Sequence, residues 1–205
     1  GRDADYKPAL NQHWYAGEQD NTDLTSVKQT WWDMLISNTD STLAYNRSAS
    51  GSTIAEAKWY DGVPEKKYNS FNARLDEVLA NDELQFFGYT PEDIDTFIFF
   101  GGTNDNGNCN IGEPKYSDWT ADDLKYFSPA YCRYIATVKA NFPNAEIVSL
   151  VDTTLTNVAA TQIAINEYYG ITTVTINGFD EVAPHPTVKG MKQIEKTLRY
   201  ALCEE

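Results

Sequence analysis

The chain is poor in the residues that bind metals and form disulfides: its 205 residues include two histidines, His13 and His185, and three cysteines, Cys109, Cys132 and Cys203. None falls at the short paired spacings of a structural zinc site, so the sequence predicts no metal and no cofactor. An odd cysteine count leaves at least one thiol outside any intramolecular disulfide and fixes no redox compartment. Basic residues are scarce too. Sixteen Lys and Arg against thirty Asp and Glu give a formal net charge of −14, which repels phosphate backbones and anionic membrane surfaces and argues against a nucleic-acid partner. No apolar run approaches the roughly 20 residues a membrane-spanning helix needs, so membrane insertion is not expected. No signal peptide is visible, as in a mature or trimmed chain. There is no internal repeat and no low-complexity segment.

What is present is a globular composition, 41% hydrophobic with 13% aromatic residues, of a length suited to a single domain over 1–205. Residues 1 to 23 are polar and turn-rich and contain no strand-like run. From Leu24 the spacing of Val27, Trp31, Leu35 and Ile36 predicts an amphipathic helix with Asp23 as its N-cap. Thr42 to Asn46 reads as a short strand, followed by a loop of small polar residues from Arg47 to Thr53. Phe71, Leu75, Val78 and Leu79 recur at helical spacing behind a capping Ser70. Strands are expected at 95–100, 146–151 and 171–176. Helices are expected from Thr120 to Asn141, with a kink or break at Pro129, from Val158 to Tyr169, closed by Gly170, and from Pro186 to Leu202. Strands alternating with helices predict a three-layer α/β/α sandwich on a mostly parallel sheet.

The strand at 95–100 ends abruptly in Gly101-Gly102-Thr103-Asn104-Asp105. In open α/β sheets ligands bind beyond the carboxyl ends of the strands, so these polar groups stand where chemistry is usually done. The Ser50-Gly51-Ser52 loop and His185-Pro186 fall at the same expected edge. Their types suit acyl transfer, in which a base deprotonates a hydroxyl while preorganised donors stabilise an oxyanion. Gly51 would give a backbone N–H, Asn104 a side-chain N–H, and His185 the base. Each also has a plain structural alternative: a tight turn at Gly51, an Asx-turn at Asn104, and a helix start at His185.

On Thr30-Trp31-Trp32, Asn46 to Ile54 around Gly51, Gly102-Thr103-Asn104-Asp105, Lys115 to Trp119, and His185-Pro186-Thr187 with Gly190-Met191, the chain resembles the SGNH (GDSL-like) hydrolase superfamily. The similarity is strongest to small secreted or cell-envelope members from gut Bacteroidetes, and it extends from about Tyr6 over nearly the whole chain. It implies a flavodoxin-like fold and a serine esterase acting on carboxylic esters, such as an acetyl or other acyl group carried on carbohydrate. It also implies a secreted, periplasmic or cell-envelope location, with Gly51 and Asn104 as oxyanion donors and His185 as the base. Oligomeric state does not follow from it.

Two positions depart from the family pattern. Members begin with a hydrophobic strand ending in Gly-Asp-Ser, whose serine is the nucleophile, and Gly1-Arg2-Asp3-Ala4-Asp5 stands there instead. The serine is therefore expected upstream of Gly1 in a longer product, with the first strand missing from the sheet and its exposed edges open to pairing. The alternative is a binding module that lacks a nucleophile. Ser48, Ser50 and Ser52 are poor replacements, for they sit in the donor loop and not on a strained strand-to-helix elbow. The second departure is Val182, three residues before the histidine, where the family carries the orienting Asp. Asp180 or Glu181 would substitute, Asp180 being favoured; a dyad with no third member is the other arrangement. Trp14, Tyr15, Trp31, Trp32, Trp59, Tyr60, Tyr116 and Trp119 are candidates for an aromatic wall that stacks sugar rings, although packing is preferred for Trp31.

Overall fold

In the computed structural model, which describes residues 23–49, 51–56, 69–182 and 185–203, the apolar run before the two glycines is strand β1 (Thr96–Phe100). Segment 1–22, Ser50, Trp59 and Tyr60 lie outside the described residues. β1 pairs in parallel with β2 (Glu146–Asp152), in a register running from Thr96 opposite Glu146 to Phe100 opposite Leu150. Every β2 residue after Glu146 is buried, as expected of a parallel strand covered on both faces. β3 (Thr172–Ile176) completes a sheet of order β1-β2-β3. The chain is a mixed α/β protein with a parallel sheet. It divides into two compact units, Ala49–Thr173 and a second made of Gly1–Ser48 with Val174–Glu205.

In the first unit, α2 (Phe71–Ala80) begins where expected, the Ser70 hydroxyl accepting from the Ala73 N–H at 3.1 Å. α3 (Phe127–Asn141) lies on the face of β1 that carries Phe97 and Phe99. The Tyr134 ring meets Phe99 and Phe71 edge-on at 5.2 and 5.3 Å, a geometry favoured by the ring quadrupoles. Pro129 neither kinks nor breaks α3. It sits in the first turn, where its missing N–H would have had no intrahelical acceptor. The buried Tyr131 hydroxyl shares a 2.8 Å hydrogen bond with Ser149 of β2 and donates to Asn166 of α4 (Ala159–Tyr169) at 2.8 Å. Gly170 closes α4 with φ of 61°.

In the second unit, the helix expected from Leu24 is a short 3-10 turn, Val27–Gln29, capped by Ser26, followed by α1 (Trp31–Thr39). Asp23 caps a different helix. Its Oδ1 accepts at 2.7 Å from the N–H of Val188, the first residue of α5 (Val188–Cys203). α1 packs against α5, burying Trp32 and Leu35 on one side and Met191, Ile194 and Leu198 on the other. Trp32, not Trp31, is the buried indole of the pair. Thr42 to Asn46 forms no strand, and the Asn46 side chain instead accepts from the Ser48 N–H in a turn. His185-Pro186 does not open the last helix. It forms β5 (His185–Pro186), antiparallel to β4 (Glu181–Val182), and Thr187 caps α5 by accepting from the Gly190 N–H at 3.1 Å.

Gly190 is required by close approach. A Cβ there would stand 2.0 Å from the Asp180 carbonyl oxygen, which itself accepts from the Thr187 N–H at 3.0 Å. Gly190→Ala is expected to lower stability by about 1–3 kcal/mol through overpacking, read as a drop in the urea midpoint at unchanged slope. An unaltered midpoint would rule out that contact.

Candidate active site

The turn that follows β1 is built from backbone bonds: the Asp105 and Asn106 N–H groups both donate to the Gly102 carbonyl, at 3.0 and 2.8 Å. Gly102 has φ of 107°, a left-handed conformation that a side chain strains. From α4, Gln162 Nε2 donates to the Gly101 carbonyl at 3.2 Å. The strand end is therefore held by the helix packed beside it.

Residues 51–56 meet that turn. Asn104 Nδ2 donates to the Ser52 carbonyl at 2.8 Å, so the side chain proposed as one donor bonds the residue next to Gly51, the other donor. An amide carries two N–H bonds, and the second has no partner among the described residues. Asp105 holds the same segment further along. It is fully buried, and its carboxylate accepts from the Ile54 N–H at 2.9 and 3.1 Å and from the Ala55 N–H at 2.9 Å. The far side of the segment is tied down by Phe71 N–H to Thr53 carbonyl and Glu56 N–H to Leu124 carbonyl bonds, both 2.8 Å.

Burial pushes the Asp105 carboxyl up to about 6, against the downward pull of the Ile54 and Ala55 N–H bonds and the Cys109 thiol. Burial also pushes the Cys109 thiol up to about 12, and the Asp105 charge adds to the effect. A thiol so far from ionisation is no nucleophile at neutral pH.

The other predicted residues lie in the second unit. His185 is half-buried on β5, directly opposite Val182 across the two-residue ladder. The position where the family pattern carries an acid thus faces the histidine and holds an apolar residue. Asp180 lies at the mouth of the same hairpin, its Oδ2 accepting from the Thr187 hydroxyl and its Oδ1 from Lys189 Nζ at 3.0 Å. The Thr187 bond and the Lys189 ammonium hold this carboxyl below the ordinary carboxylate range. Its backbone N–H donates to Gln193 at 2.8 Å. Asp180 thereby pins the His185 segment to the start of α5. Glu181 is exposed, opposite Pro186.

The model of the GDSL-like lipase/acylhydrolase family matches residues 4–202. The chain belongs to the GDSL-like lipase/acylhydrolase family. Two crystal structures named "putative GDSL-like lipase" are similar to it. One, from Bacteroides uniformis, is 31% identical with a TM-score of 0.80 and covers 95% of this chain and 86% of its own. The other, from Bacteroides ovatus, is 30% identical with a TM-score of 0.77 and covers 91% and 84%. No curated protein matches in sequence. GDSL-like acylhydrolases are hydrolases, and a small-molecule substrate goes with that membership.

Among the described residues of this GDSL-like chain, no three His, Cys, Asp or Glu side chains are grouped to hold a metal, and no helix is long and apolar enough to cross a membrane. Of the aromatic candidates, Tyr116 stacks on Tyr168 with ring centroids 3.7 Å apart, and Trp119 turns its indole N–H to the Lys115 carbonyl. The sequence reading named Asp105 and Thr187 within their blocks but gave neither a role of its own, and it did not name Gln162. Thr187 carried a signal in its place ahead of the last helix. The partners of Asp105 and Gln162 are backbone groups about 50 to 60 residues away, which leave no mark on a side-chain pattern.

The raised Asp105 carboxyl has a pH signature. Its folded value of about 6 lies above the ordinary 3.8, so the folded state holds the proton more tightly. The stability this group contributes is fully present below about pH 4 and is lost as pH rises through about 6, with a slope of at most about 1.4 kcal/mol per pH unit. Urea unfolding between pH 4 and 7 is expected to show that slope in the wild type and not in Asp105→Asn; parallel pH dependences would contradict the shift.

Proposed function

We propose that this protein is a serine esterase of the GDSL-like family that removes acyl groups, acetyl foremost, from carbohydrate esters in the cell envelope or outside the cell. The observation that carries the reading is the Asn104 Nδ2 bond to the Ser52 carbonyl, which fixes the strand-end amide beside Gly51 and leaves its second N–H to a ligand. In this mechanism a serine hydroxyl attacks the ester carbon and its proton passes to His185, with Asp180 positioning the imidazole through the hairpin it holds by Thr187 and Lys189. The carbonyl electrons move onto the oxygen, whose charge is met by the Gly51 N–H and Asn104 Nδ2. Collapse releases the alcohol, protonated by His185, and water then frees the acid by the same route. Donors fixed before the reaction cost no reorganisation as charge develops.

A second reading is a ligand-binding module that uses the same loop without turnover. The two are separated by assaying p-nitrophenyl acetate with the 205-residue chain and with the product of the full open reading frame. The esterase reading expects little turnover from the former. It expects robust turnover from the latter, abolished by His185→Ala and lowered about 10²- to 10³-fold in kcat by Asn104→Ala. Acetylated-glycan binding with no hydrolysis by either form would establish the binding module.

A further inference from the structure

We propose that Asp105 is the positioning residue of this site: its buried carboxylate locks residues 51–56 against the end of β1 and so fixes the Gly51 and Asn104 donors relative to each other. The inference rests on the reading of those two groups as oxyanion donors. Asp105 would act through them and would not touch the substrate.

The argument begins with adjacency. Asn104 and Asp105 are consecutive, and both grip the same short segment, one through the Ser52 carbonyl and the other through the Ile54 and Ala55 N–H groups. Toward the end of β1, a single amide bond would leave the segment free to pivot about its far-side ties at Thr53 and Glu56. A second attachment two residues along removes the pivot. The two attachments are also chemically opposite, a donor meeting a carbonyl and an acceptor meeting N–H groups, so a one-residue slip of the segment would satisfy neither.

The chemistry of residue 105 points the same way. A fully buried carboxylate is costly, and an apolar side chain of similar volume would serve packing at least as well. Oδ1 accepts from both N–H groups and Oδ2 accepts from Ile54 as well, so a carboxylate presents an acceptor at every position the two donors meet. Asparagine would turn an NH₂ group toward backbone N–H donors. The Cys109 thiol donates to the Asp105 carbonyl at 3.2 Å, and the Asp105 N–H donates to Gly102, so the backbone that carries the carboxylate is itself fixed.

The test is nuclear magnetic resonance of the 205-residue chain, with turnover of the full reading-frame product as a separate arm. In Asp105→Asn, amide exchange at Ile54 and Ala55 is expected to quicken at least tenfold. The Gly51 N–H and Asn104 side-chain NH₂ resonances should move while those of α1 and α5 stay in place. If the variant does not fold, the wild type suffices: the Gly51 and Asn104 resonances should follow the Asp105 carboxyl carbon as it titrates near pH 6. Gly51 and Asn104 signals that ignore both the substitution and the titration would overturn the proposal. In the turnover arm, Asp105→Asn should lower kcat about 10- to 100-fold, less than loss of a donor itself, with KM within about twofold. An unchanged kcat alongside displaced donors would also overturn it. Absence of turnover in every form sinks the esterase reading alone, and the resonance data still decide the role of Asp105.

Discussion

The end of β1 and the segment from Gly51 to Glu56 are joined through one buried carboxylate, and the arrangement of the candidate site depends on it. Asp105 has no solvent exposure, so its charge must be met by the protein. It is met by backbone N–H groups of residues about 50 positions earlier in the chain. Hydrogen bonds to a charged acceptor are worth about 1.5–3 kcal/mol each, and an unsatisfied charge costs more than that. The segment therefore follows the strand end: displacing it means exposing or orphaning the carboxylate. The turn of Asp105 is shaped in turn by Gly102 and braced by Gln162 on α4, which connects the donor loop to the parallel sheet itself.

The segment around His185 is held by the same economy with different groups. There the carboxylate is Asp180, and its partners are the hydroxyl of Thr187 and the ammonium of Lys189. The Asp180 carbonyl accepts from Thr187 and lies against Gly190, so one residue closes the hairpin with both its backbone and its side chain. Thr187 in its turn caps α5, and Asp23 caps that helix's first N–H. The helix start and the hairpin are thus one hydrogen-bonded knot. His185, the proposed base, lies in sequence between Asp180 and Thr187, which tie the knot.

Elements marked by long apolar periodicity or runs were legible in the sequence: β1, β2, β3, α2, α4 and the body of α5 stand where the pattern puts them. Gly51, Asn104, His185 and Asp180 were named from turn chemistry and family blocks, and the strand expected ahead of Gly51 does not form. What sequence could not give were features decided by distant partners. Asp23 is an equally good cap for whatever helix reaches it, and the one that does begins 165 residues later. Thr42 to Asn46 has strand-like residues but is not a strand, and a run this short depends on tertiary pairing that its sequence does not specify. His185-Pro186 satisfied the rule for a helix start; pairing with Glu181-Val182 displaced that start to Thr187. Trp31 and Trp32 were close to equivalent by type, and the side of α1 facing α5 chose Trp32.

The described residues also constrain which group could attack an ester. Cys109 lies near the donor loop, but its burial beside the Asp105 charge pushes its thiol up to about 12, leaving almost no thiolate at neutral pH. Ser52 is nearer still. Its carbonyl is taken by Asn104 and its hydroxyl lies 3.3 Å from the Asn69 side-chain oxygen, so both ends of the residue serve to hold the loop. In the proposed esterase the hydroxyl would come to this loop from another element, and the rigidity that Asp105 gives residues 51–56 would hold its target in place.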